Sequence, residues 1–259
     1  MKLLQITDTH ITSENELIYS INTTKRLEYI VHHINKKHAD ADICMITGDL
    51  TDNGDTASCI TLHDVLDKLK IPYRVTIGNH DNRKNIIDIF GIVENSSTNK
   101  IDYTFTFKNL AFIVLDTAID ADDEGSRHAG YLNDRQVDWL KEKIKEYEDY
   151  NIYIFMHHPP FKLFLPLFDR ILLNENSSML FKNEIINSNN IKHIFFGHVH
   201  RPVFGSWQSI SFSTTLSAAH HFELNLETHD ETFDDKIFGY SVVIIDTDGL
   251  IMHVEELYK

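Results

Sequence analysis

Cysteine is scarce in this sequence, and its scarcity excludes two classes of protein. Cys44 and Cys59 are the only two in 259 residues, and they match neither a CxxC pair nor the spacing of a zinc site. A disulfide-stabilised extracellular domain and a cysteine-ligated zinc module are therefore excluded, and a reducing compartment is indicated.

Long apolar runs are absent as well. No stretch approaches the ~20 residues that a membrane-spanning helix needs. The first apolar run also reaches Asp8 too soon to form the core of a signal peptide. We therefore expect a cytoplasmic protein that has no membrane partner.

Positive charge is the third deficit. The chain has 24 Lys and Arg against 39 Asp and Glu, which gives a formal net charge of −15 with histidine neutral. Sequence-independent affinity for DNA or RNA comes mainly from Lys and Arg, so we expect no nucleic-acid polymer as a partner. The 42% of hydrophobic residues is ordinary for a globular protein, and the length is ample for a large core.

The first part of the chain alternates between strand and helix patterns. Apolar runs predict strands at 2–7, 42–47 and 73–77. Helical spacing of apolar residues lies between them, beginning at Leu27 and at Leu62. This order is typical of an α/β sheet that carries helices on both faces.

The remainder predicts more strands and a further helix. Asn133 and Gln136 form a capping box at the start of the helix, and Asp248-Gly249 marks a hairpin turn. Strands are predicted at 102–107, 110–115, 152–156, 193–196, 210–214, 240–245 and 251–254, the first two as an antiparallel hairpin and the last three as antiparallel strands of the tail.

Two stretches lack a regular pattern. Residues 161–181 are apolar and irregular, which indicates a loop or a lid over a site, and residues 220–235 are acidic and predict a long surface loop. Neither a repeat nor a clear linker interrupts the chain, so we expect one domain over residues 1–259.

Histidine, by contrast, is abundant, and its positions indicate a metal site rather than a dispersed surface composition. The chain has 16 histidines, and six of them lie in four of five motifs at the ends of predicted strands: Asp8-Thr9-His10, Gly48-Asp49, Gly78-Asn79-His80-Asp81, His157-His158 and Gly197-His198-Val199-His200. Because the carboxyl ends of strands in an α/β sheet gather at one edge, these side chains should meet there. Carboxylate, amide and imidazole donors suit Mn, Fe or Zn.

In this order and spacing, the five motifs resemble those of the calcineurin-like metallophosphoesterases. Three further features resemble the class III cyclic nucleotide phosphodiesterases and the related bacterial glycerophosphodiesterases: residues 48–54 (GDLTDNG), residues 156–160 (MHHPP), and Leu115-Asp116-Thr117 followed by Gly130-Tyr131-Leu132 and Trp139-Leu140. The resemblance implies an α/β (α+β) fold of the four-layer type, with central mixed β-sheets flanked by helices.

The resemblance also implies two divalent metal ions per chain, either Fe, Mn or Zn. One ion would be bound by Asp8, His10 and His200, the other by Asn79, His157 and His198, and Asp49 would bridge them. His80 and Asp81 are the implied catalytic residues, His80 beside the phosphoryl oxygens and Asp81 orienting His80 or a ligand imidazole. Asn79, His80 and His220 are the candidate substrate-binding residues.

The implied function is that of a metal-dependent phosphoric diester hydrolase, in which a hydroxide that bridges the two ions attacks a small phosphodiester. We expect 3′,5′-cyclic nucleotides of the cAMP type as substrates, with a glycerophosphodiesterase or a broad-specificity diesterase as the alternative. A non-catalytic scaffold on the same fold is disfavoured because all seven ligand positions are present. Relatives of this kind self-associate, so the resemblance also implies a homodimer, in which the partner is a second copy of the chain.

Overall fold

A computed structural model describes residues 1–13, 16–119, 126–230 and 232–258 of the chain. Within these residues, helices and strands follow one another in the order β1 (Lys2–Ile6), α1 (Thr23–Lys37), β2 (Ile43–Thr47), α2 (Thr56–Leu66), β3 (Tyr73–Thr76), α3 (Arg83–Phe90), β4 (Tyr103–Phe107), β5 (Leu110–Val114), α4 (Asp134–Glu146), β6 (Asn151–Phe155), α5 (Glu175–Ile185), β7 (Ile191–Phe195), β8 (Val203–Trp207), β9 (Ile210–Thr214), β10 (His221–Phe222), β11 (Phe233–Asp234), β12 (Ile237–Ile245) and β13 (Leu250–Tyr258).

The large strands form two mixed sheets. The first has the order β13-β12-β1-β2-β3, and the second has the order β4-β5-β6-β7-β9-β8. Strands β1, β2 and β3 run parallel to one another, as do β5, β6, β7 and β9. The predicted hairpins β4–β5 and β12–β13 are confirmed as antiparallel pairs.

The two sheets pack face to face and carry helices on their outer faces. Leu3 and Met45 of the first sheet contact a core that also contains Phe112, Phe155 and Phe195 of the second. Helices α1, α2 and α3 cover the other face of the first sheet, and α4 and α5 cover the other face of the second. The resulting order of helix, sheet, sheet and helix confirms the predicted four-layer sandwich.

The expectation of helices on both faces of a single sheet was wrong. In β1, Leu3 faces the second sheet whereas its neighbour Leu4 faces the helices. Both side chains are fully buried, so the strand is an uninterrupted apolar run. Such a run does not indicate whether a helix or another sheet covers each face.

Helix starts are fixed by side-chain caps. The predicted capping box is confirmed: the Asn133 side chain accepts from the Gln136 N–H, and the Gln136 side chain accepts from the Asn133 N–H. Helix α5 begins after Asn174, which accepts from the Ser177 N–H. The prediction of an irregular segment over 161–181 is therefore wrong for residues 175–181, where α5 buries Phe181 in the core.

The tail also differs from its prediction. Strand β9 pairs parallel with β7 in the second sheet, while β12 and β13 belong to the first. In the segment predicted as a long surface loop, β10 and β11 form an antiparallel pair, and the described residues of the connection between them are largely exposed. Among the described residues, no helix is both long and apolar enough to span a bilayer.

Candidate metal centre

Five loops meet at one edge of the sandwich, and each follows a strand. Asp8, Asp49 and Asn79 follow β1, β2 and β3 of the first sheet, whereas His157 and His198 follow β6 and β7 of the second. The loops bind one another directly: the His198 N–H donates to Asp8 Oδ1 at 3.0 Å, and the Asp8 N–H donates to the carbonyl of Gly48 at 3.1 Å. Both sheets thus contribute to a single site.

The backbone at this edge is strained. Five of the seven predicted ligands have positive φ angles, namely Asp8 (50°), His10 (41°), Asp49 (46°), His198 (72°) and His200 (51°). A non-glycine residue in this region costs of order 1–3 kcal/mol, and such residues cluster at functional sites. The strain turns these side chains inward toward a common centre.

The first donor group comprises Asp8, His10, Asp49 and His200, whose ligand atoms all lie within 4.8 Å of one another. His10 Nδ1 contacts Asp52 Oδ1 at 3.1 Å, and His200 Nδ1 donates to the carbonyl of His220 at 3.1 Å. The two Nε2 atoms therefore face each other, 3.1 Å apart. All four residues are buried.

In the second donor group, the ligand atoms of His157, His158 and His198 lie within 4.8 Å of one another, and Asn79 is the further ligand that the sequence analysis assigns to it. His157 Nδ1 donates to the carbonyl of Thr47, which turns Nε2 toward His198 Nδ1 at 3.3 Å and toward Asp49 Oδ2 at 3.3 Å. The buried Oδ1 of Asn79 has no hydrogen-bond partner among the described residues. Since Asp49 Oδ2 also lies 3.6 Å from His10 Nε2, its carboxylate stands between the two groups.

These donors fit two divalent cations. The Nε2 atoms of His10 and His200 can pair at 3.1 Å only if one of them carries a proton, and a buried amide oxygen without a partner is unfavourable. A cation in each group would satisfy them. The set of nitrogen and oxygen donors without thiolate is the one that Fe, Mn and Zn accept.

Burial and charge pairing set the protonation of these donors. Burial, with a further contribution from Asp49, raises the pKa of Asp8 to about 6. Burial alone would lower the pKa of His157, but Asp49 and Asp8 raise it to about 9. Burial and the neighbouring His157 lower the pKa of His198 to about 3. His198 is therefore neutral near pH 7, whereas His157 carries a proton that a metal ion must displace.

Metal uptake should consequently depend on pH. A ligand nitrogen must lose its proton before it binds a metal. We expect the apparent affinity for a divalent ion to rise about tenfold per pH unit from pH 7 until the pKa of His157, about 9, is reached. Calorimetry at pH 7.5 in buffers of different ionisation enthalpy should detect net release of protons on metal binding, because the pKa values of both His157 and His10 are raised. An affinity that does not vary with pH would contradict His157 as a ligand.

The same proton stabilises the metal-free fold. Because the pKa of His157 is raised from 6.5 to about 9, its ion pair with Asp49 contributes stability that is fully present below 6.5 and is lost as pH rises through 9. Bound metal replaces the proton, so the metal-loaded protein should not lose this stability.

His80 and Asp81 lie beside the cluster in different ways. The His80 N–H donates to Asp49 Oδ1 at 3.0 Å, its Nδ1 donates to the carbonyl of Asp52 at 2.7 Å, and its ring lines the cleft. Asp81 accepts hydrogen bonds from the N–H groups of Gly78, Leu50 and Thr51 and from the Thr51 hydroxyl. Among the described residues its hydrogen-bond partners join two loops and include neither His80 nor a ligand imidazole, the two alternatives of the sequence analysis.

The cluster forms the floor of a cleft of about 630 Å³. His220, a candidate substrate-binding residue of the sequence analysis, is buried and lines this cleft. Its Nδ1 has no hydrogen-bond partner among the described residues. The predicted lid contributes Leu167, Phe168, Arg170 and Ile171.

Sequence reasoning missed two polar residues of the site. Asp52 contacts Nδ1 of His10, and its position in the motif at residues 48–54 (GDLTDNG) could have identified it as a site residue. His128, to which no role was assigned, has its Nδ1 3.2 Å from Asn79 Nδ2 and lines the cleft. It lies in an irregular loop, and no pattern marked it.

Gly78 leaves no room for a side chain next to the cluster. A Cβ there would lie 2.2 Å from Asp49 Oδ1 and 2.8 Å from His157 Nε2. We expect Gly78→Ala to displace the carboxylate and to weaken metal binding by at least about tenfold, the lower end of what displaced ligand partners cost. Elemental analysis after dialysis against a metal buffer measures the loss.

Gly91→Ala is the matched control. Gly91 has a φ of 63°, but a Cβ there would meet no described atom within 4 Å. It should lower stability by about 1–2 kcal/mol through backbone strain alone and leave the metal content unchanged. Equal metal content in both variants would contradict the steric argument.

Comparisons with known proteins agree with this geometry. A model of the calcineurin-like phosphoesterase family matches residues 1–202. A probable cyclic nucleotide phosphodiesterase of Rhodopseudomonas palustris is 29% identical over 257 residues, covering 98% of this chain and 91% of that protein. A probable glycerophosphodiester phosphodiesterase of Arcobacter nitrofigilis is 28% identical over 236 residues, covering 87% of this chain and 81% of that protein.

A solved structure shares the fold. A dimetal phosphatase from Danio rerio superposes with a TM-score of 0.73, covering 99% of this chain and 97% of that one. The sequences are 14% identical, so this likeness concerns the architecture of two sheets between helical layers.

Proposed function

Because this chain belongs to the calcineurin-like phosphoesterase family, we propose that it is a metal-dependent hydrolase of small phosphodiesters whose substrates are 3′,5′-cyclic nucleotides of the cAMP type. The observation that carries the proposal is the pair of buried donor groups that share Asp49 at the floor of an open cleft. The choice of cyclic nucleotides is supported by the relative from Rhodopseudomonas palustris, which matches nearly the whole chain.

Two divalent ions, either Fe, Mn or Zn, would be held by seven residues: Asp8, His10 and His200 on one side, Asn79, His157 and His198 on the other, and Asp49 between them. When bound, such a pair lowers the pKa of a water molecule and stabilises negative charge on a phosphoryl group. It would also make the floor of the cleft locally positive in a protein with a net charge of −15.

His80 is the residue to which we assign proton transfer. Its backbone N–H and its Nδ1 are both engaged, with Asp49 and with the carbonyl of Asp52, so the ring is fixed and Nε2 remains for a substrate in the cleft. From that position His80 can donate a proton to the alkoxide oxygen that leaves phosphorus. Asp81 contributes indirectly by holding the Asp49 and Asn79 loops together.

A glycerophosphodiester is the competing substrate, and the relative from Arcobacter nitrofigilis favours it. A substrate panel on Mn²⁺-reconstituted protein separates the two: 3′,5′-cAMP, glycerophosphocholine, bis-p-nitrophenyl phosphate and a phosphate monoester. We expect kcat/KM to be highest for cAMP. A higher value for glycerophosphocholine would replace the proposal with a glycerophosphodiesterase, and no turnover by fully metal-loaded protein would favour a non-catalytic scaffold.

The remaining proposals concern location and partners. We propose a cytoplasmic location, supported by the two isolated cysteines, and neither a nucleic-acid polymer nor a membrane as partner, supported by the negative net charge. A homodimer is the proposed assembly, and sedimentation of the purified protein tests it.

A further inference from the structure

The cleft has two chemically different sides. Beside Asn79 and His80 its lining is polar and includes Ser126 and His128. Beside His10 and His200, four rings form a continuous series that we call the aromatic row: Tyr19, His220, Phe222 and Phe168. Neighbouring ring centroids in this row are 5.1, 5.2 and 5.3 Å apart.

The aromatic row is continuous with the metal cluster. The His200 ring lies 4.4 Å from the His220 ring and 5.3 Å from the Phe222 ring. At the other end of the row, the Phe168 ring lies 6.1 Å from that of His198. A phosphodiester held at the cluster would therefore place one of its organic groups against these rings.

Tyr19 is presented by a strained turn. Tyr19 and Ser20 have φ angles of 49° and 67°, and backbone hydrogen bonds in both directions between Ile18 and Ile21 close the turn around them. The ring of Phe233 lies 4.2 Å from that of Tyr19 and supports it. Tyr19 is nevertheless 48% exposed while lining the cleft, so much of its surface is available to a ligand.

We propose that the aromatic row is the wall that binds the base of a cyclic nucleotide, with Tyr19 and Phe222 as specificity-determining residues. This inference rests on the proposed function and adds the group that the protein recognises. Every nucleobase has a π face that stacks on aromatic side chains, and one such contact changes affinity about 5- to 150-fold. A glycerol group has no such face, so the row would favour a cyclic nucleotide over a diester of glycerol alone, whereas a choline cation would also be attracted to aromatic rings.

A pair of matched substrates tests the row. The first is 3′,5′-cAMP, and the second is the same 3′,5′-cyclic phosphate on a ribose that lacks a base. We expect the wild type to have a KM for cAMP at least about fivefold lower than for the abasic compound. Tyr19→Leu and Phe222→Leu should raise KM for cAMP about five- to twentyfold more than they raise KM for the abasic compound, so the ratio of the two KM values should fall toward one.

Tyr29→Leu is the control variant. Tyr29 is 51% exposed on α1, where it contacts His33 and Phe238 and does not line the cleft. Its replacement should leave KM unchanged for both substrates. If the variants at Tyr19 and Phe222 keep the wild-type ratio of the two KM values, the row does not bind the base, although cyclic nucleotide hydrolysis would stand.

Binding of a slowly hydrolysed phosphorothioate analogue of cAMP, measured by calorimetry, separates the two proposals further. We expect the Tyr19 and Phe222 variants to bind it about five- to twentyfold more weakly than the wild type. If neither cyclic phosphate is hydrolysed while glycerophosphocholine is, the proposed function fails. The inference about the aromatic row also fails if the wild type and the Tyr19 and Phe222 variants bind the analogue with equal affinity.

Discussion

Replacing Asp49 by alanine is expected to remove both metal ions and to lower kcat by about a thousandfold or more, the scale at which loss of one charge-stabilising group acts in an active site. The reason is position: Asp49 Oδ2 lies 3.6 Å from His10 Nε2 and 3.3 Å from His157 Nε2, so it serves both donor groups. Burial alone would raise the pKa of Asp49, but His157 holds it well below its usual range, and the carboxylate is thus charged and ready to bind cations.

Metal content and rate must fall together for this prediction to hold. Elemental analysis of Asp49→Ala should find fewer than one ion per chain, and circular dichroism should find the fold intact. Asp49→Asn keeps an oxygen that can accept from the His80 N–H and should retain more metal than the alanine variant. Asp64→Ala, at an exposed position of α2, is the control. Two tightly bound ions in Asp49→Ala would contradict a bridging role.

The elements that could be predicted were those with a local cause. The capping box at Asn133, the hairpin turn at Asp248 and the apolar runs of the inner strands each depend on a few neighbouring residues. Helix α3 was missed although Ile86, Ile87, Ile89 and Phe90 recur at helical spacing, because its eight residues are fewer than the window in which such a pattern is normally recognised. What covers each face of a sheet depends on distant segments, and the sequence of a doubly buried strand does not encode it locally.

The residues of the candidate site likewise fall into those that the sequence predicts and those that it does not. Its seven predicted ligands follow strand ends, where the sequence marks them by Asp, Asn and His after an apolar run. The residues that were missed, such as Tyr19 and His128, lie in irregular loops far apart in the chain. Only tertiary packing brings them to the cleft, so no spacing rule could have placed them there.

Removing the side chain of His80 should separate two kinds of substrate. We expect His80→Ala to lower kcat for cAMP, whose alkoxide leaving group needs a proton, by about 10²- to 10⁴-fold. For bis-p-nitrophenyl phosphate, whose phenolate leaves without a proton, we expect less than about a tenfold loss. Metal content should stay unchanged, because His80 contacts Asp49 through its backbone N–H, which alanine retains.

The control for this comparison is His32→Ala, at an exposed position of α1, which should leave both rates unchanged. Equal losses with the two substrates would show that His80 stabilises charge on the phosphoryl group in either reaction instead of protonating the leaving oxygen. The structure favours protonation because the ring is fixed by the carbonyl of Asp52 at 2.7 Å, an acceptor that holds the proton of Nδ1. Nε2 is then the nitrogen that exchanges a proton with the substrate, and the leaving-group dependence of kcat measures that exchange directly.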